Sequence, residues 1–125
     1  MFKVCIQAAG VGSRLTLCRG INKALAPLNK KATISRIIDL FPSHTAFVIL
    51  LGHKKEQIKS FLKIAYPNLK VEYIEIIKYQ GIGSGPGYSL LQAKHLLNSP
   101  FIFIACDTIV LDKPPMPSEN WIGIS

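Results

Sequence analysis

Gly10, Gly12, Arg14 and Lys23 stand close together near the start of the sequence, and residues of these types can hold phosphate. Ala8, Ala9, Gly10 and Gly12 let the backbone turn sharply, the glycines without a Cβ in the way, so that amide N–H groups can form a nest for phosphate oxygens. Arg14 and Lys23 add the positive charge a triphosphate requires. A second glycine-rich stretch, Gln80-Gly81-Ile82-Gly83-Ser84-Gly85-Pro86-Gly87, would let a planar ligand lie against bare backbone. Asp107, directly after the apolar run Phe101 to Cys106, offers a carboxylate to a hard Mg²⁺ ion carrying triphosphate oxygens. Asp107-Thr108 is also ordinary turn chemistry.

Each group needs a strand to position it. Phe2 to Gln7, Ala46 to Leu51, Val71 to Ile77 and Phe101 to Cys106 are apolar and β-prone. Between them apolar residues recur at helical spacing: Ile34, Ile37, Ile38 and Phe41; then Ile58, Phe61, Leu62 and Ala65; then Leu90, Leu91, Lys94 and Leu97. Strands alternating with helices predict an α/β fold with a mainly parallel sheet, whose ligands bind beyond the carboxyl ends of the strands. All three candidate groups follow a predicted strand. Trp121 to Ser125 reads as one more strand, begun after the Pro-rich loop at residues 113 to 118.

Other chemistries find less support. A dinucleotide fingerprint needs a third glycine where Leu15 stands, and a P-loop needs Gly-Lys-Ser/Thr, which is absent. His44, His53 and His95 are isolated and without zinc-ligand spacing, and no Gly-x-Ser-x-Gly elbow supports a hydrolase. The 125 residues, 49% of them hydrophobic, suffice for one core and one domain, residues 1–125. The net charge of +8 comes from 15 Lys and Arg spread along the chain, which favours phosphate ligands over a nucleic-acid stripe. Cys5, Cys18 and Cys106 form no Cys-x-x-Cys pair and predict reduced thiols and a cytoplasmic setting. No apolar run approaches the ~18 residues of a membrane span.

Taken in order, the motifs resemble the sugar-phosphate nucleotidyltransferase family, in which Ala-Ala-Gly-x-Gly-x-Arg-Leu is followed by Pro-Lys-x-Leu-x-Pro, a glycine loop opening a helix, and an apolar strand ending in Asp. Ala8-Ala9-Gly10-Val11-Gly12-Ser13-Arg14-Leu15 matches fully, Lys23-Ala24-Leu25-Ala26-Pro27 matches with Asn22 in place of Pro, and Asp107 ends the strand. The resemblance implies a Rossmann-like three-layer α/β/α fold, incomplete at the C-terminus, forming the N-terminal part of a larger catalytic domain. It implies transfer of a nucleoside monophosphate from a nucleoside triphosphate to a sugar 1-phosphate or similar phosphate ester such as phosphocholine, as in nucleotide-sugar biosynthesis, with release of pyrophosphate. In that reading Ala8, Ala9, Gly10, Gly12 and Ser13 bind the nucleotide, Arg14 neutralises the leaving pyrophosphate and Lys23 holds the α-phosphate. Gln80 and Gly85 read the base, and Asp107 binds the catalytic Mg²⁺. Thr16-Leu17-Cys18 replaces the family's Pro-Leu-Thr, and Pro86 stands where Thr is frequent, so base preference stays open. The altered loop leaves an alternative, a non-catalytic nucleotide-sensing domain of the same fold. The expected partners are a nucleoside triphosphate and a phosphorylated acceptor, without nucleic acid or membrane. The isolated chain is expected to bind nucleotide without turnover and to self-associate through uncovered sheet surface.

Overall fold

The computed structural model describes residues 2–9, 23–25, 27–28, 30–77, 81–106, 108, 110 and 113–123, with Lys23 and Leu28 described by their backbone alone. Four parallel strands make the main sheet: β1 (Lys3–Ala8), β4 (Ala46–Leu51), β5 (Lys70–Glu75) and β6 (Phe101–Ala105), side by side in the order β5-β4-β1-β6. A small antiparallel hairpin, β2 (Pro27–Leu28) and β3 (Lys31–Ala32), precedes helix α1 (Thr33–Ile38). Helix α2 (Lys55–Ala65) joins β4 to β5, and α3 (Pro86–Gln92) with a 3₁₀ turn at Lys94–Leu96 joins β5 to β6.

Both faces of the sheet are covered, because the central strands carry apolar residues on both faces, β4 at every position and β1 at Val4, Cys5, Ile6 and Ala8. Val4, Ile6 and Ala8 of β1 and Phe47, Ile49 and Leu51 of β4 face one core, which Ile34 and Ile37 of α1 and Ile58 and Leu62 of α2 fill. Cys5, Val48 and Leu50 point the other way and meet Ala93, with Tyr88, Leu90 and Leu96 around them. The result is the expected α/β/α arrangement. The chain steps from β1 to β4 to β5 in one direction with α1 and α2 on one face, then steps back to β6 with α3 on the other. Right-handed crossovers impose that change of face whenever the direction of travel reverses.

The element boundaries differ in places from expectation. β4 coincides with the predicted run, β1 starts and ends one residue later, β5 is Lys70–Glu75 rather than Val71 to Ile77, and β6 stops at Ala105. Trp121 to Gly123 form no strand, while Ile124 and Ser125 lie outside the described residues. Among the described residues, no helix is long and apolar enough to cross a membrane.

Candidate nucleotide site at the strand ends

The direction reversal sits between β1's two neighbours, β4 and β6, which makes the carboxyl end of β1 the switch point at which open α/β sheets place their ligands. Two of the predicted groups follow the paired strands at that point. Gln7 of β1 is opposite Ala105 of β6, and beyond the paired residues the Cys106 amide still donates to the Gln7 carbonyl at 3.0 Å. The backbone that leads into Gly10 and the backbone that leads into Asp107 therefore leave neighbouring strands at one level. Gly10, Gly12, Ser13, Arg14, Gln80 and Asp107 themselves lie outside the described residues.

Ala8 and Ala9 are buried on opposite faces of the sheet, Ala8 in the α1/α2 core and Ala9 in the α3 core. Small side chains at these two positions let both helical layers close on the strand end. Ala9's backbone is held from two sides: its N–H donates to Gln7 Oε1 at 3.3 Å, and its carbonyl accepts the His53 N–H at 3.2 Å. The motif reading gave no role to Gln7 or His53. A polar Gln7 at the end of an otherwise apolar run was the signal for the first; for His53, isolated in sequence, only the pairing of β4 with β1 reveals it.

Lys23 opens a 3₁₀ turn, Lys23–Leu25, whose central residue Ala24 is fully buried in the same core as Ala8. The Thr33 hydroxyl, at the first position of α1, donates to the Ala24 carbonyl at 2.8 Å. The hairpin between these residues is clamped further on, where Lys31 Nζ pairs with Asp39 Oδ2 and the Tyr66 hydroxyl donates to Asp39 Oδ1 at 2.9 Å.

In the second loop Gly81, Gly83 and Gly85 all take positive φ, and Gly85, at φ 143° and ψ 177°, caps α3. The Ser89 amide donates to the Gly85 carbonyl at 3.0 Å, and the Ser84 hydroxyl to the Gly81 carbonyl at 2.6 Å. A Cβ placed on Gly81, Gly85 or Gly87 would meet nothing within 4 Å, so this stretch is an open backbone surface. Ile77 and Ile82 beside it are 93% and 97% exposed. α3 packs on the face of the sheet that Ala9 faces, and Tyr88 of its first turn lies against that core.

The charge around this edge is partly self-compensated. Lys55 and Lys59 of α2 hold Glu75, at the end of β5, in ion pairs of 3.0 and 3.1 Å, and their hydrogen bonds keep its carboxyl below the usual range. Among the described residues no cluster of His, Cys, Asp and Glu could hold a metal. Asp107 is the remaining candidate ligand. The Thr108 amide donates to the Ala105 carbonyl at 3.0 Å, directly after β6. Cys106 is a fully buried core thiol.

A family model described as the MobA-like NTP transferase domain matches residues 4–116. A bifunctional IPC transferase and DIPP synthase of Archaeoglobus fulgidus is 32% identical over 110 residues, which are 87% of this chain and 21% of that protein. Among solved structures, the CTP:phosphocholine cytidylyltransferase of Streptococcus pneumoniae is 28% identical with a TM-score of 0.73, covering 95% of this chain and 50% of its own. A Bacillus anthracis structure described as a glucose-1-phosphate thymidylyltransferase superposes with a TM-score of 0.75 at 22% identity, over 90% of this chain and 47% of its own. The chain thus spans about half the length of these solved relatives and about a fifth of the archaeal protein.

Proposed function

The chain belongs to the MobA-like NTP transferase domain family, and from that premise we propose that it supplies the nucleotide-binding part of a Mg²⁺-dependent nucleotidyltransferase. The reaction is an in-line attack by an acceptor phosphate, a sugar 1-phosphate or phosphocholine-like ester, on the α-phosphorus of a nucleoside triphosphate, with pyrophosphate leaving. The observation that supports this reading is the pairing of β1 with β6, which makes the strands preceding the glycine-rich segment and Asp107 neighbours at the switch point.

Little covalent chemistry falls to the protein in such a transfer, and catalysis comes from positioning and charge neutralisation. The Gly10 to Ser13 backbone would cradle the triphosphate, Arg14 would face the leaving pyrophosphate, and Lys23 would hold the α-phosphate. Gln80 and the open backbone around Gly85 would receive the base. Asp107 would hold Mg²⁺, which when bound supplies Lewis-acid stabilisation of the phosphoryl oxygens.

The test is calorimetric titration of the chain with ATP, CTP, GTP and UTP, with Mg²⁺ and with EDTA. Beside it runs a pyrophosphate-release assay with sugar 1-phosphates and phosphocholine, on this chain and on any longer polypeptide containing it. Mg²⁺-dependent binding of one triphosphate, weakened by Asp107→Asn, is expected, with release of pyrophosphate where the acceptor half is present. Absence of binding to all four triphosphates would sink the proposal. Binding without turnover in every polypeptide, indifferent to Asp107→Asn, would establish the sensing alternative instead.

A further inference from the structure

We propose that Thr33 is a positioning residue for Lys23, acting through the Ala24 carbonyl. This rests on the reading above, in which Lys23 holds a phosphate of the nucleotide.

Lys23 stands on a single 3₁₀ turn of three residues, Lys23–Leu25. Such a turn closes too few good hydrogen bonds to hold its own geometry, so contacts from outside decide where it sits. One anchor is the Ala24 side chain, fully buried in the core beneath the sheet. The other is the hydroxyl of Thr33, nine residues further on, which donates to the Ala24 carbonyl at 2.8 Å. Ala24 has no exposed surface, so the bond is sheltered from water on the Ala24 side.

Thr33 is the first residue of α1, one past the N-cap Ala32, which makes no side-chain cap bond. The Thr33 hydroxyl reaches across the base of the hairpin. Between its two ends the chain makes β2, a turn with Lys30 at φ 66°, and β3. The far side of that excursion is fastened separately, by Lys31 to Asp39, a carboxylate that the Tyr66 hydroxyl also holds. Thr33 therefore closes the hairpin at the end that carries Lys23, while the pair of Lys31 with Asp39 closes it at the end that does not.

The experiment compares Thr33→Val, which removes the hydroxyl at nearly constant shape, with Thr33→Ser, which keeps it. Both are made in the wild-type chain and beside Lys23→Ala. Affinity for the preferred nucleoside triphosphate is read by calorimetry, and urea midpoints report stability separately. Thr33→Val is expected to weaken binding about tenfold, the scale of one hydrogen bond, and Thr33→Ser to stay within about twofold. In the Lys23→Ala background Thr33→Val should weaken binding no further, although the urea midpoint falls equally in both backgrounds. Wild-type affinity in Thr33→Val, or an equal loss of affinity with and without Lys23, would overturn the positioning role while leaving the phosphate role of Lys23 intact. A Lys23→Ala chain that binds as tightly as wild type would overturn the reading of Lys23, and the positioning role with it.

Discussion

Two glycines of the loop that opens α3 should respond oppositely to the same substitution. Gly85 has φ 143° and ψ 177°, a region that residues with a Cβ almost never occupy, and its ideal Cβ would meet nothing within 4 Å. The cost of Gly85→Ala is therefore backbone strain without a steric clash, about 1–3 kcal/mol. Gly87 is the second residue of α3, is not in the left-handed region, and has the same open space around it. Gly87→Ala restricts the unfolded chain and suits the helix, for a gain of about 0.5–1 kcal/mol. With a urea m-value of about 2 kcal/mol/M, the first midpoint should fall by about 0.5–1.5 M and the second rise by a few tenths. The loop can also relieve the strain by opening locally, in which case the Ser89 amide, bonded to the Gly85 carbonyl, exchanges its hydrogen faster than in wild type. Gly85→Ala with neither a lower midpoint nor faster Ser89 exchange would refute the backbone argument.

For Arg14→Ala and Lys23→Ala, turnover in a catalytically complete polypeptide should drop by at least ~100-fold with a smaller loss of binding, since charge-assisted phosphate contacts strengthen toward the transition state; wild-type rates in both would make these cations solvated surface charges. Burial pushes the Cys5 thiol up to about 12. The folded thiol thus stays protonated where the unfolded one ionises, so its stabilising contribution is complete below about pH 8.5 and is lost as pH rises toward 12, at about 1.4 kcal/mol per pH unit. Urea midpoints between pH 8 and 11 should fall less steeply for Cys5→Ala than for wild type, and equal slopes would reject the assignment. Tyr66 and Tyr73, also raised by burial, add the same sign above pH 10 in both proteins.

The elements that the sequence reveals best are those whose burial is decided locally. Ala46 to Leu51 is apolar at every position, and β4 has those bounds because it is covered on both faces. β5 is an edge strand that carries Lys70, Glu72 and Glu75, so its charged end residues conceal where pairing starts. The helical face read from Leu90, Leu91, Lys94 and Leu97 is partly wrong: Leu91 is 65% exposed, and Ser89 and Ala93 are buried instead. After seven residues α3 gives way to a 3₁₀ turn, which changes the angular phase between Leu91 and Leu97. Ala93, just past the helix, shares a core with Cys5 and Ala9, and Ser89 is buried on the helix itself. The β2–β3 hairpin was not legible, since its turn places Lys30 at φ 66° where Gly or Asn would have signalled it.

The candidate site shows the same division between local and topological information. The first glycine-rich segment is legible because its glycines and its cation, Gly10 to Arg14, stand close together in sequence. That the strands before this segment and before Asp107, almost a hundred residues apart, are neighbours depends on which strand β6 pairs with and at what register. Had β6 joined the outer side of β5, these two strands would lie at opposite ends of the strand order, with two others between them. Pairing on the free side of β1 requires the chain to cross back over the sheet, and that crossing requires a helix on the second face. α3 meets the requirement by lying on the core that holds Cys5 and Ala9, through Tyr88, Leu90 and, just past its end, Ala93, so a small residue that looked uninformative in the third helical segment sits where the chain crosses back to β1.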